Sequence, residues 1–141
     1  MQLSGSAVAL ASMSVLLLLG AACKENEDAT SPTLLHVPGS YRATMFTTTT
    51  PSGTENVLQA GGSVTAQFDP SRDVRGHVTI PQRTVNTDFV GTWKLTGTTV
   101  QLDPTPSNIL IDALSFKVTG NSLIADSTLA GTRVRLVLVK Q

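Results

Sequence analysis

The sequence predicts an all-β domain, an antiparallel up-and-down β-barrel of about eight strands, preceded by an apolar leader and a polar linker. Apolar and polar residues alternate in several segments, and glycine or proline interrupts the chain at short intervals. No window carries a 3.6-residue apolar period long enough for a helix. A β-sandwich is the alternative arrangement of the same strands.

The leader covers residues 1–22, which carry no charged side chain. An apolar run from Ala7 to Leu19 is followed by Gly20, two alanines and Cys23. This layout resembles a bacterial lipoprotein signal peptide, which implies cleavage before Cys23 and attachment of a diacylglyceryl group to its thiol. An uncleaved transmembrane anchor is the alternative, because about 20 apolar residues span a bilayer. Ser4, Gly5, Ser6, Ser12 and Ser14 dilute the apolar character of residues 1–22 and favour the signal peptide.

Residues 23–36 form the predicted lipid-anchored flexible linker, a polar and mostly acidic stretch with too few apolar side chains to fold. Lys24 follows the cysteine at a position where aspartate would resemble an inner-membrane retention signal. We therefore expect a lipid-anchored cell-envelope protein at the outer membrane, on its periplasmic or surface face. Cys23 is the single cysteine of the sequence, so an intrachain disulfide is excluded.

Residues 37–141 form the predicted barrel domain. Val64, Ala66 and Phe68 alternate with polar residues, as in a strand with one face on a core and one toward solvent. The predicted strands cover 40–49, 62–69, 74–81, 83–89, 90–97, 99–103, 113–119 and 122–129, with 132–140 as a ninth strand or as the closing strand if 83–89 is a loop.

An internal repeat supports this pattern. Residues 93–100, WKLTGTTV, match residues 116–123, FKVTGNSL, in chemical type at each position. Each copy predicts a hairpin with a two-residue turn, Gly97-Thr98 or Gly120-Asn121, because glycine adopts the positive φ that such turns require. The intervening DPTPSN segment is a predicted loop, since its prolines cannot occupy a central strand.

The domain also resembles the lipocalin-like barrels. Gly39-Ser40-Tyr41 is similar to the family's opening Gly-x-Trp, and Arg133 or Arg135 is similar to the late arginine that packs across that aromatic ring. The resemblance implies a barrel and a small apolar ligand. Side chains expected to line the ligand site are Tyr41, Met45, Phe68, Trp93 and Phe116. A barrel of eight strands is equally compatible with an interior filled by its own side chains.

Enzymatic, cofactor-dependent and nucleic-acid functions are disfavoured. The chain has two histidines, with His36 in the linker and His77 on the expected outer face of its strand, so neither a catalytic nor a metal-binding site is predicted. No cofactor-binding motif is present. Net charge is zero and the arginines are dispersed among acidic residues, which disfavours nucleic acid as a partner.

Two functions from different classes remain. In the first, a membrane-tethered barrel binds a small apolar ligand. In the second, a filled barrel contacts another envelope protein through its loops, chiefly residues 47–62, as inhibitor-type lipoproteins do. We expect a monomer in either case. An internal cavity would favour the first function, and a packed interior with an ordered loop surface would favour the second.

Overall fold

A computed structural model describes residues 34–141, so the predicted leader, Cys23 and most of the linker lie outside the described residues. The described chain is almost entirely β-structure. Its strands are β1 (Gly39–Thr50), β2 (Gly53–Asn56), β3 (Ser63–Phe68), β4 (Asp73–Ile80), β5 (Val85–Thr96), β6 (Thr99–Pro104), β7 (Ser115–Thr119), β8 (Ser122–Leu129) and β9 (Thr132–Lys140). A 3-10 turn covers Pro81–Arg83, and a single helical turn, α1, covers Ile109–Asp112.

Strand β1 closes the sheet into a barrel. Its first residues, Gly39 to Arg42, pair with β3, while residues from Tyr41 to Thr49 pair with β9 on the other side. All pairings between neighbouring strands are antiparallel. The short β2 adds only to the far end of β1, so the other eight strands form the barrel. The predicted eight-stranded up-and-down barrel is thus confirmed.

Alternating side chains from every barrel strand fill the interior. The fully buried members include Phe46, Phe68, Phe116, Leu123 and Leu136, each at most 1% exposed. The buried hydrophobic core draws on residues 37–138, and the barrel closes where β1 pairs with β9, from Tyr41 opposite Lys140 to Thr49 opposite Arg133. Residues 34–141 therefore contain a complete folding unit.

The two ends of the barrel differ in what covers them. The bottom is the end where the chain enters, and it carries residues 34–38, the turns at 69–72, 97–98 and 120–121, and the end of β9. The top carries the longer connections, residues 51–62, 81–84 and 105–114, together with the turn at 130–131. The described chain therefore begins and ends at the bottom.

Strand β5 differs from the predicted pattern. Residues 83–89 and 90–97 were expected to be two strands, but Val85–Thr96 is one continuous strand. The chain does not turn back between the two predicted strands, because Gly91 pairs with Pro104 as part of the β5–β6 ladder. A Cβ on Gly91 would approach the Asp103 carbonyl oxygen to 2.2 Å, so glycine serves here for close strand contact and not for a turn.

Two further elements were not predicted. Strand β2 forms within the segment expected to be a loop after the threonine run, because β1 continues to Thr50 and turns back through Pro51 and Ser52. Helix α1 occupies residues just before the predicted strand 113–119, which begins in fact at Ser115. A single helical turn is too short to show a periodic pattern in the sequence.

The two-residue hairpin turns of the internal repeat are confirmed. Gly97 has φ +58° and Gly120 has φ +56°, and the residue after each has negative φ, as in a type II′ turn. The β8–β9 turn is different, because Ala130 (φ +46°) and Gly131 (φ +79°) are both in the left-handed region, as in a type I′ turn. Ala130 is a poor residue for this conformation, which favours asparagine or glycine.

Replacement of Ala130 by asparagine should stabilise the protein. The left-handed conformation costs an alanine about 1–2 kcal/mol and costs asparagine less, so we expect a gain of about 0.5–1 kcal/mol and a rise in Tm of about 3–6 °C. Thermal unfolding followed by circular dichroism measures this. The control is Ala60→Asn, an exposed loop alanine with negative φ, which should leave Tm unchanged. Equal shifts in the two variants would contradict the turn assignment.

Candidate functional site

Three of the side chains expected to line a ligand site pack against one another instead. The rings of Tyr41 and Phe68 meet edge to face with centroids 5.3 Å apart, and those of Phe68 and Trp93 do the same at 6.0 Å. All three are at most 3% exposed. Edge-to-face contacts of this kind fill space that a ligand would need. This part of the interior is a packed core.

The same aromatic cluster closes the bottom of the barrel through its polar atoms. The Tyr41 hydroxyl donates a hydrogen bond to the Val37 carbonyl oxygen (2.8 Å), and the Trp93 indole Nε1 donates to the Asp69 carbonyl oxygen (3.0 Å). Each ring therefore joins a barrel strand to a bottom segment. Burial also raises the pKa of the Tyr41 phenol, since the tyrosinate would lose its hydration.

Cations cover the outer edges of this cluster. Lys140 Nζ lies 5.9 Å from the centre of the Tyr41 ring, and the Arg72 guanidinium lies 5.6 Å from that of Trp93. Arg133 and Arg135, one of which was expected against Tyr41, both lie on the exposed face of β9. That expectation is wrong, because β9 points Val134 and Leu136 inward and the two arginines outward. Arg133 instead pairs with Asp126 (2.6 Å), which lowers the pKa of that carboxyl group.

The two remaining predicted lining residues have different positions. Phe116 is buried in the core, 1% exposed. Met45 is 40% exposed, so its predicted inward position is wrong. A register shift between Ala43 and Met45 in the β1–β9 ladder, typical of a β-bulge, reverses the alternation. Phe46 consequently takes the inward position that Met45 was expected to have.

The top of the barrel carries an open cleft of about 530 Å³. It arises from unequal strand lengths. Strand β6 pairs with β5 from Gly91 onward, so residues 85–90 project beyond β6 and, within residues 34–141, pair with β4 alone. The inner face of this projecting hairpin presents Val78, Ile80, Val85 and Thr87, and residues 107–110 form the opposite wall.

Helix α1 forms part of the rim and one wall of this cleft. The Asn108 side chain caps the helix by accepting hydrogen bonds from the backbone N–H groups of Leu110 (3.1 Å) and Ile111 (3.2 Å). The cap fixes the direction of the three apolar residues that follow. Ile111 is buried in the barrel, Leu110 lies in the wall of the cleft, and Ile109 is 88% exposed at its rim.

A larger but shallower groove, of about 670 Å³, crosses the outer face of β1, β3, β4 and β5. Its rim includes Arg42, Arg75 and the His77–Asp88 pair, in which Nδ1 and Oδ1 lie 2.7 Å apart. His77 Nε2 also lies 3.1 Å from the Thr79 hydroxyl. Arg42, Arg75, His77 and Asp88 line this groove, whereas Arg83 is the one ionisable residue of the described chain that lines the top cleft, so an uncharged apolar molecule would meet fewer charged groups in the cleft.

Comparison with known proteins gives no assignment. Neither the protein-family models nor the curated protein sequences contain a match to this chain. Within residues 34–141, no helix is long and apolar enough to cross a bilayer. In the same part of the chain, no three His, Cys, Asp or Glu side chains are grouped as they would be to hold a metal ion.

The cleft residues were not among the predicted site residues. Their position depends on where β6 stops pairing with β5, which is a property of the tertiary structure. One local signal was present, since Asn108 precedes Ile109, Leu110 and Ile111, and an asparagine before an apolar run is typical of a helix N-cap. That signal predicts a helical turn beside a proline-containing loop, but not the cleft next to it.

Stability should fall in alkaline solution because of Tyr41. Burial raises the pKa of Tyr41 in the folded state above its ordinary value of 10.0, so the unfolded chain loses this proton at lower pH than the folded protein does. The free energy of unfolding therefore decreases as pH rises above about 10. Tyr41 is the single tyrosine, so the ultraviolet absorbance of tyrosinate reports it alone. We expect a titration midpoint above 10 in the native protein and near 10 in urea. Equal midpoints would contradict the buried phenol.

Proposed function

We propose that this protein is a membrane-tethered lipoprotein of the cell envelope whose barrel binds a small apolar ligand in the top cleft. The observation that carries the proposal is the cleft itself. Ligand sites are typically concave, apolar volumes of about 300–1,000 Å³, and the mouths of β-barrels are among their usual positions. Val78 and Ile80, at most 4% exposed, provide an apolar floor for such a site.

The position of the predicted anchor supports the tether. Cys23 lies eleven positions before Leu34, where the described chain begins at the bottom of the barrel. Eleven residues reach at most about 40 Å even when fully extended. A lipid on Cys23 would therefore hold the bottom near the membrane and leave the cleft at the end farther from the anchor.

The ligand chemistry follows from the walls of the cleft. The apolar lining consists of Val78, Ile80, Val85, Ile109 and Leu110, and the polar lining consists of Arg83, Thr84, Asn86, Thr87, Ser107 and Asn108. A molecule with an apolar body and a single polar or anionic end would fill such a cleft. A few well-placed polar groups of this kind usually fix ligand orientation.

A second candidate is an interaction protein that contacts another envelope protein through residues 47–62. The packed aromatic cluster of the interior favours it, as does the order of the β1–β2 hairpin. Thr49 and Thr54 join their hydroxyls across that hairpin (2.9 Å), and Thr50 and Ser52 do so within its turn (2.7 Å). The threonine run thus forms a structured polar surface at the top of the barrel.

Mass spectrometry of the full chain isolated from its host's envelope in mild detergent tests both parts of the proposal. Under denaturing conditions we expect a covalent acyl mass on Cys23, which Cys23→Ser removes. Under native conditions we expect an additional non-covalent mass, whose identity gives the ligand. A bare native mass would favour the interaction function, and an unacylated chain would contradict the tether.

Paired variants test the position of the ligand. Thr87 points into the cleft, whereas Thr92 on the same strand is exposed on the outer face. Thr87→Trp should reduce ligand occupancy at least tenfold by filling the cleft, and Thr92→Trp should leave it unchanged. Ile109→Asp, at an exposed rim position, serves as a second cleft variant that does not disturb the core. Equal occupancy in all three variants would place the ligand elsewhere.

A further inference from the structure

The bottom of the barrel presents two adjacent exposed leucines. Leu34 is 44% exposed and Leu35 is 87% exposed, at the point where the described chain begins. Single exposed apolar side chains are normal on protein surfaces, whereas contiguous ones can mark a protein or membrane interaction site. These two lie on the side of the barrel from which the predicted tether departs.

The segment that carries the leucines is fixed to the barrel. Lys140 Nζ donates a hydrogen bond to the His36 carbonyl oxygen (3.0 Å), and Val37 is completely buried. The Tyr41 hydroxyl holds the Val37 carbonyl oxygen in addition. Leu34 and Leu35 are therefore presented from an ordered turn at a defined place on the bottom.

Charge is distributed unevenly between the two ends. The basic residues on the bottom turns, or nearer the bottom along their strands, are Arg42, Arg72, Arg75, Lys94, Lys117 and Lys140. Asp69 and Asp73 are the acidic residues of the same half. The acidic residues of the top half are Glu55, Asp88, Asp103, Asp112 and Asp126, against three arginines, Arg83, Arg133 and Arg135. Residues 34–141 are thus basic at the bottom and acidic at the top, and the predicted linker that leaves the bottom adds Lys24, Glu25, Glu27 and Asp28.

We propose that the bottom of the barrel docks on an anionic phospholipid surface, with Leu34 and Leu35 inserted at the headgroup level and the basic residues around them. The proposal rests on the tether of the proposed function and specifies how the barrel sits on the membrane. Basic side chains near an anionic bilayer are attracted to it, while the acidic top is repelled. The cleft would then open away from the membrane.

Because the predicted tether is short, a weak contact with the membrane is sufficient to orient the barrel. The eleven positions from Cys23 to Leu34 keep the barrel within a few nanometres of the bilayer, which corresponds to an effective concentration roughly in the millimolar range. Two leucines and a few dispersed basic residues give only weak binding to vesicles from free solution. They would nevertheless determine the orientation of a protein that is already tethered.

Vesicle sedimentation tests the proposal with the unlipidated chain from Lys24 to Gln141, which contains the complete folding unit. Vesicles of phosphatidylglycerol mixed with phosphatidylcholine are compared with vesicles of phosphatidylcholine alone. We expect preferential binding to the anionic vesicles that weakens as salt is raised, since salt screens the attraction. Equal binding to both compositions, or no binding at any lipid concentration, would overturn the proposal.

Matched variants locate the contact on the barrel. Leu35→Ser should weaken binding about tenfold, on the scale expected for losing most of the burial of one leucine. The control is Ile109→Ser, whose 88% exposed side chain lies at the opposite end and should have no effect. Lys94→Gln should weaken binding to anionic vesicles, whereas Arg135→Gln in the top half should not. If the top variants weaken binding as much as the bottom variants, the proposed orientation is wrong.

This test is independent of the acylation test. The vesicle experiment uses a chain without an anchor, and mass spectrometry reports acylation without reference to orientation. If the chain is acylated but shows no preference for anionic vesicles, the tether is supported and the docking surface is contradicted. A chain that prefers anionic vesicles through Leu35 but lacks an acyl group would contradict the tether alone.

Discussion

Backbone pairing between β1 and β9 is the constraint on which the rest of this structure depends. Without it, β1 and β9 would be exposed edges of an open sheet, and the inward faces of all strands would lack a common interior. The β1–β9 ladder runs from Tyr41 to Thr49 and contains the register shift between Ala43 and Met45. That shift lets one strand supply both Tyr41 and Phe46 to the same core.

Closure also gives the barrel two unlike ends. At the bottom the turns are short and the Tyr41, Phe68 and Trp93 rings fill the interior, so no space remains for a ligand. At the top, β5 projects beyond β6 and helix α1 only partly covers the difference, which leaves the cleft. A packed interior and a ligand site are therefore compatible in one small barrel, provided that the site lies at the mouth.

Much of this fold follows from local sequence. Alternation in β3, β4 and β9 and the glycine turns at Gly97 and Gly120 are short-range features, and they were sufficient to predict the barrel. Features that depend on long-range pairing were not predictable. Met45 changed face because of a bulge set by β9, and the β5 strand continued through Gly91 because of its close contact with β6. The cleft belongs to the same class, since it reflects the difference in length between two paired strands.

Amide hydrogen exchange followed by NMR tests barrel closure most directly. If β1 and β9 close the sheet, their amides between Tyr41 and Thr49 and between Arg133 and Lys140 that donate to the ladder should exchange only through global unfolding, as slowly as those of β4. The β2 amides, at the end of a two-residue turn, should exchange faster through local opening. Fast exchange confined to the β1–β9 ladder, with β3 to β8 protected, would show an open sheet and contradict the closed barrel.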